Sequence, residues 1–172
     1  MMTSLNPAQA SEIFFTQSSE QDNWFVINDT VMGGESQSHF AVREQNGIFS
    51  GYVSLENYGG FASVRRPMRL SHPSEQISLL VKGDGKTYQF RIRTNNLVDG
   101  IAYRVNFTTE KGVWQRINFH QQEFIATFRG RIITDAPPLK FSDIAQIGFL
   151  ISQKQQGKFQ LMVQSISFLQ ST

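Results

Sequence analysis

Hydrophobic residues in this chain recur at every second position, in short runs that turn-forming residues repeatedly cut off. Tyr88, Phe90, Ile92 and Thr94 alternate with Gln89, Arg91 and Arg93. Ile101, Tyr103, Val105 and Phe107 alternate with Ala102, Arg104 and Asn106. Phe49, Val53 and Leu55 share a parity with Gly51, and Phe159, Leu161 and Val163 repeat the pattern near the end. Successive side chains of a strand point to opposite faces, so each run reads as a strand with one buried face. Gln45-Asn46-Gly47, Tyr58-Gly59-Gly60, Gly83-Asp84-Gly85, Val98-Asp99-Gly100, Lys111-Gly112 and Gln156-Gly157 separate the runs. This layout predicts an all-β fold, a two-sheet antiparallel sandwich of jelly-roll type. At Gln164-Ser165 the parity slips between Val163 and Ile166, as it does at a β-bulge. The best helical stretches are one or two turns, at Asn6 to Ser11 and near Ser142 to Ala145. That excludes a βαβ architecture and any Rossmann dinucleotide site.

The chain of 172 residues suits one domain spanning 1–172, and 40% hydrophobic residues are enough for a real core. Its 15 Phe have no polar group and are expected inside. Cysteine is absent, which removes disulfides, thiolate metal sites and a cysteine nucleophile. Sixteen basic residues against 14 acidic ones leave a net charge of +2, too little for a nucleic-acid partner. Met1 to Ala10 contain no Lys or Arg and no apolar run, so no signal or transit peptide is expected. No apolar stretch is long enough for a membrane span. The expected setting is cytoplasmic.

Little in the sequence suggests catalysis. His39, His72 and His120 stand far apart, and neither H-E-x-x-H nor G-x-S-x-G occurs. No catalytic residue, catalytic metal or cofactor is therefore expected. Gly83-Asp84-Gly85-Lys86-Thr87 lacks the spacer of a phosphate loop and reads as a hairpin turn. Asp29, Glu56, Asp84 and Asp99 lie at turns, where carboxylates cap backbone N–H groups. A glycosidase pair or a calcium site are the alternatives that such loops offer.

The polar side of the alternating strands is more informative. With Phe90, Ile92, Tyr103, Val105, Ile117 and Phe119 inward, Arg91, Arg93, Arg104, Trp114 and Arg116 are expected outward, on one binding surface. Forked guanidinium donors around an indole suit an acidic or mixed protein partner. A carbohydrate is the alternative ligand, and a plain solvated face with Trp114 turned inward is the reading without function.

Two motifs go beyond pattern. Asn28-Asp29-Thr30-Val31-Met32-Gly33-Gly34-Glu35-Ser36 is the first, and Asn57-Tyr58-Gly59-Gly60-Phe61-Ala62-Ser63-Val64-Arg65 the second. Gly33, Gly34, Gly59 and Gly60 allow tight turns and close backbone approach. Asn28, Asp29 and Asn57 can bond backbone groups there, and Arg65 is placed to pair with Asp29 or Glu56. A structural corner is the favoured reading of both motifs, a ligand site the other. The two segments resemble the hallmarks of the complex I intermediate-associated protein 30 family. Gly83 to Tyr88, the Trp114 strand, and Ile147-Gly148-Phe149 before Gly157-Lys158-Phe159 agree with it. The resemblance covers about 24–168 and leaves a short N-terminal extension, 1–11. It implies a galactose-binding-like jelly roll and a chaperone-like, non-catalytic assembly factor. Some members are fused to an NAD-binding domain and others carry a mitochondrial presequence, and neither is expected here.

Overall fold

A computed structural model of the chain describes residues 11–95, 100–152 and 154–170. Among the described residues thirteen strands follow in chain order: β1 (Glu12–Phe14), β2 (Phe25–Asn28), β3 (Gln37–Arg43), β4 (Asn46–Val53) and β5 (Ala62–Pro67). Next come β6 (Gln76–Lys82), β7 (Thr87–Thr94), β8 (Ala102–Thr108) and β9 (Trp114–His120). The last four are β10 (Ile125–Phe128), β11 (Arg131–Ile132), β12 (Ile144–Ile151) and β13 (Gly157–Leu169). Only one-turn or slightly longer 3-10 segments interrupt them among the described residues. One covers Phe141–Asp143, so the helix expected near Ser142 shrinks to a turn and Ile144 already begins a strand. Apart from Ser11, the other expected helix lies outside the described residues, as do Val98 and Asp99 of one expected turn.

Two antiparallel sheets form the sandwich. One runs β3-β4-β13-β6-β9, with β1 also on β13, and the other runs β11-β10-β8-β7-β12-β5-β2. The long β13 is the spine of the first sheet. Its first half pairs with β4, Ser165 to Ser167 pair with β1, and β6 lies along the opposite side. The ladder with β6 shifts register between Val163 and Ser165, which is the bulge read from the parity slip.

Inward faces meet in a core rich in phenylalanine. Phe49, Phe90, Phe149, Phe159 and Phe168 are all buried. The Phe149 ring lies 5.3 Å from Phe90, 6.2 Å from Trp24 and 6.3 Å from Phe107, centroid to centroid. Edge-on and stacked rings at such spacings add to the gain from burial. At the entry of β2, Glu20 accepts two bonds from the buried Arg66, at 2.9 Å each, and one from the Trp24 indole at 2.9 Å. This pair ties the 3-10 segment Ser18–Asn23 to β5. Replacing Phe149 by Ala removes a fully buried ring and is expected to cost about 3–5 kcal/mol, measured as the shift in a urea unfolding curve.

Candidate functional site

Asp29 organises the corner where the two motifs meet. Burial alone pushes its carboxyl upward. Donation from the Ser36 hydroxyl and from the backbone N–H groups of Gly60, Ser36 and Phe61 outweighs that and holds it below its ordinary value. The bonds measure 2.9 Å from Ser36 N to Oδ1, and 2.7 Å from Gly60 N and 3.2 Å from Phe61 N to Oδ2. The Ser36 hydroxyl donates at 2.5 Å and in turn accepts from Ser54 N at 2.9 Å. One carboxylate thus joins the segments after β2, before β3, after β4 and before β5.

The motif glycines follow from this packing. A Cβ on Gly34 would stand 2.4 Å from the Asp29 carboxyl carbon, and one on Gly59 would stand 2.6 Å from Oδ2. Gly33 and Gly60 have φ of 89° and 133°, a region that other residues enter at a cost. The Asn28 side-chain oxygen accepts from Ser38 Oγ at 2.7 Å and from Ser63 N at 3.3 Å. Asn57 takes the left-handed conformation at φ 56°. Four donors from the chain itself thus reach this carboxylate, one on Oδ1 and three on Oδ2.

Arg65 departs from expectation. It pairs with neither Asp29 nor Glu56; its side of β5 is the outer face of the seven-stranded sheet. There it joins Arg91, Arg93 and Arg104 in lining a groove of ≈ 950 Å³. Strand pairing sets one row across this face: Phe25, Arg65, Gly148, Arg91, Arg104, Ile125. Gly148 is the bare floor between two arginines, because a Cβ there would stand 2.3 Å from the Val64 carbonyl oxygen. Arg91 donates to Gln89 Oε1 at 2.8 Å and Arg104 to Asn106 Oδ1 at 3.2 Å, both neutral partners. Burial, and then repulsion from Arg93, Arg65 and Arg104, push the Arg91 guanidinium down to about 10, still protonated at neutral pH. No Asp or Glu is among the described residues of the groove.

The expected single surface of Arg91, Arg93, Arg104, Trp114 and Arg116 does not exist. The strand β9 pairs with β6 and not with β8. Thr109 turns the chain across the sandwich: its hydroxyl donates to Lys86 O at 2.8 Å and accepts from Gly85 N at 3.1 Å. As a result Phe119 faces Phe107 across the core, 6.2 Å between centroids, and the outer faces of β8 and β9 point opposite ways. Trp114 is exposed with the Lys82 ammonium 5.4 Å from its ring centroid, and Arg116 donates to Ser78 Oγ at 3.2 Å. Sequence reasoning missed Arg65, Gly148 and Arg129 as groove residues. Gln146 also lines the groove, and its buried side-chain oxygen has no partner among the described residues.

Among the described residues no three His, Asp or Glu side chains converge as a metal site, and no helix is long and apolar enough to cross a membrane. Asp29→Asn leaves an amide facing at least one backbone donor and is expected to lower stability by about 1–3 kcal/mol at neutral pH. The native carboxylate, lowered on folding, contributes fully above the ordinary carboxylate range. That contribution is lost as pH falls through its depressed value. Urea curves for both proteins from neutral to acid pH should therefore converge at the acid end.

Comparison with known proteins places this geometry. The mouse mitochondrial protein named complex I intermediate-associated protein 30 is 26% identical over 88% of this chain and 53% of its own length. The chain thus spans about half of that relative. An uncharacterised Schizosaccharomyces pombe protein is 25% identical over 86% of this chain and 80% of its own. Among solved structures, a family 11 carbohydrate-binding module from Clostridium thermocellum, in complex with a β-1,3-1,4-mixed-linked tetrasaccharide, superposes with a TM-score of 0.60. It is 15% identical, over 87% of this chain and 91% of that one. An agarase matches with a TM-score of 0.60 at 10% identity, over 95% of this chain and 25% of its own. These likenesses show the fold, a jelly-roll sandwich. The family model described as complex I intermediate-associated protein 30 matches residues 13–163, and the chain belongs to that family.

Proposed function

We propose that this chain is a non-catalytic protein-binding module with a chaperone-like assembly role, and that its groove grips an acidic segment of the partner. The observation that carries this reading is the row Arg65, Gly148, Arg91, Arg104 on the outer face of the seven-stranded sheet. Three guanidinium groups with no carboxylate among the described lining residues form a site whose charge awaits a counter-charge. Arginine forks match carboxylates in bidentate geometry, and their weak hydration makes desolvation on binding less costly than for lysine. The exposed Phe25 and Ile125 at the two ends of the row add apolar contact for a polypeptide. The described lining holds no His, Asp, Glu or Lys, so it offers no general acid or base tuned to neutral pH. The family's name associates it with an intermediate of complex I, which supports a protein as the ligand.

A second reading, carbohydrate binding, rests on the unpartnered Gln146 oxygen and the half-exposed Phe128 ring in the same groove. An amide acceptor and an aromatic face are what a neutral sugar uses. The arginine row favours the acidic peptide.

Titration of the protein with fluorescein-labelled hexaglutamate, and separately with a β-1,3-1,4-mixed-linked glucan oligosaccharide, decides between them. Binding of hexaglutamate that weakens with added salt is expected. Arg91→Ala with Arg104→Ala should keep the melting temperature and reduce that affinity roughly tenfold or more. Saturable binding of the glucan with none of the peptide would replace the protein-partner reading by the carbohydrate one.

A further inference from the structure

The turn between β10 and β11 holds a fifth groove arginine in an unusual backbone state. Phe128 pairs with Arg131, so Arg129 and Gly130 alone form the hairpin loop. Their φ angles are 50° and 81°, both left-handed, as a two-residue turn of this twist demands. Asn or Asp followed by Gly is the usual choice, because their short side chains tolerate that conformation. Arginine there costs backbone energy and gains nothing for the turn. A similar pair, Glu44 and Gln45 at φ 51° and 65°, closes β3 and β4, where Asn46 Nδ2 bonds back to the Glu44 carbonyl at 3.3 Å. What sets Arg129 apart is its place in the groove lining, with its guanidinium carbon 5.2 Å from the Phe128 ring centroid.

Building on the acidic-segment reading, we propose that Arg129 is a specificity-determining arm that gives the groove a second anion contact. The groove then selects a segment with two separated carboxylates over one with a single carboxylate. The separation follows from register. Ile125 pairs with Arg104, and Phe128 lies three residues further along β10. At about 3.4 Å per residue the hairpin tip begins on the order of 10 Å from the arginine row. Electrostatics agrees: the groups that repel Arg91 are Arg93, Arg65 and Arg104, and Arg129 is not one of them. Two acidic side chains three positions apart on an extended peptide span on the order of 10 Å. The first would sit beside Arg104, next to Ile125 in the row, and the second would meet Arg129. Phe128 holds the guanidinium face by a cation–π contact, which leaves its edge donors free to fork onto a carboxylate.

The test uses two labelled Gly/Ser peptides, one with two Glu residues three positions apart and one with a single Glu. Wild-type protein should bind the first several-fold more tightly. Arg129→Asn, which suits the left-handed turn, should keep or raise the melting temperature and bring both peptides to the same affinity. Arg129→Lys, with the charge but not the fork, should retain part of the preference. Unchanged preference in Arg129→Asn would overturn the role of Arg129 and leave the groove standing. So would a lowered melting temperature with both affinities reduced together, because Arg129 would then be supporting the fold. Failure of the wild type to bind either peptide would overturn the acidic-segment reading and this inference with it.

Discussion

The Asp29 carboxylate is fully buried, and four donors from the surrounding loops keep it charged. A buried carboxylate is tolerated only when its lone pairs are filled, since desolvation otherwise costs several kcal/mol. The donors come from Ser36, Gly60 and Phe61, residues far apart in sequence, so satisfying the charge closes the corner. The corner fixes where β5 begins and therefore where its side chains point. Ala62 and Val64 go into the core, and Ser63 and Arg65 go outward. The position of Arg65 in the groove is a downstream result of a charge buried at the other end of the motif.

Strand order then does the rest. Arg65, Arg91 and Arg104 are brought together because β12 lies between β5 and β7, and because Gly148 adds no side chain between them. Burial, and then repulsion between close guanidinium groups, hold the Arg91 guanidinium below its ordinary value. The site is tolerable because the groove remains open to water, although its described lining supplies no negative charge. A net charge of +2 conceals this segregation, since none of the described residues that line the groove is acidic.

Much of the fold was legible in the sequence. Period two gave the strands of β7, β8 and β13, the parity slip gave the bulge, and Gly85 and Gly112 turn the chain where they were expected to. The motif residues read as a corner, because Gly and Asn shape a backbone without supplying reactive groups, and the two segments do meet around Asp29. The choice of sheet for β9 was not legible. Alternation shows which side chains share a face of a strand, but not which neighbour that strand will pair with. Trp114 and Arg116 were for that reason grouped with arginines that lie on the opposite side of the molecule. The missed residues share one cause: Arg65 belongs to a motif, Gly148 to an apolar run and Arg129 to a turn without the Asn-Gly signature, so long-range pairing alone unites them.

The arginine-rich outer face of the seven-stranded sheet, and not the face that carries Trp114, is the proposed docking face for a partner. Side-chain NMR reads both faces in one titration, through the arginine Nε–H signals and the tryptophan indole N–H signals. On adding hexaglutamate, the signals of Arg65, Arg91 and Arg104 are predicted to shift together in a saturable way while the Trp114 indole stays in place. A moving Trp114 indole with unmoved groove arginines would contradict the account and put the binding face on the six-stranded sheet.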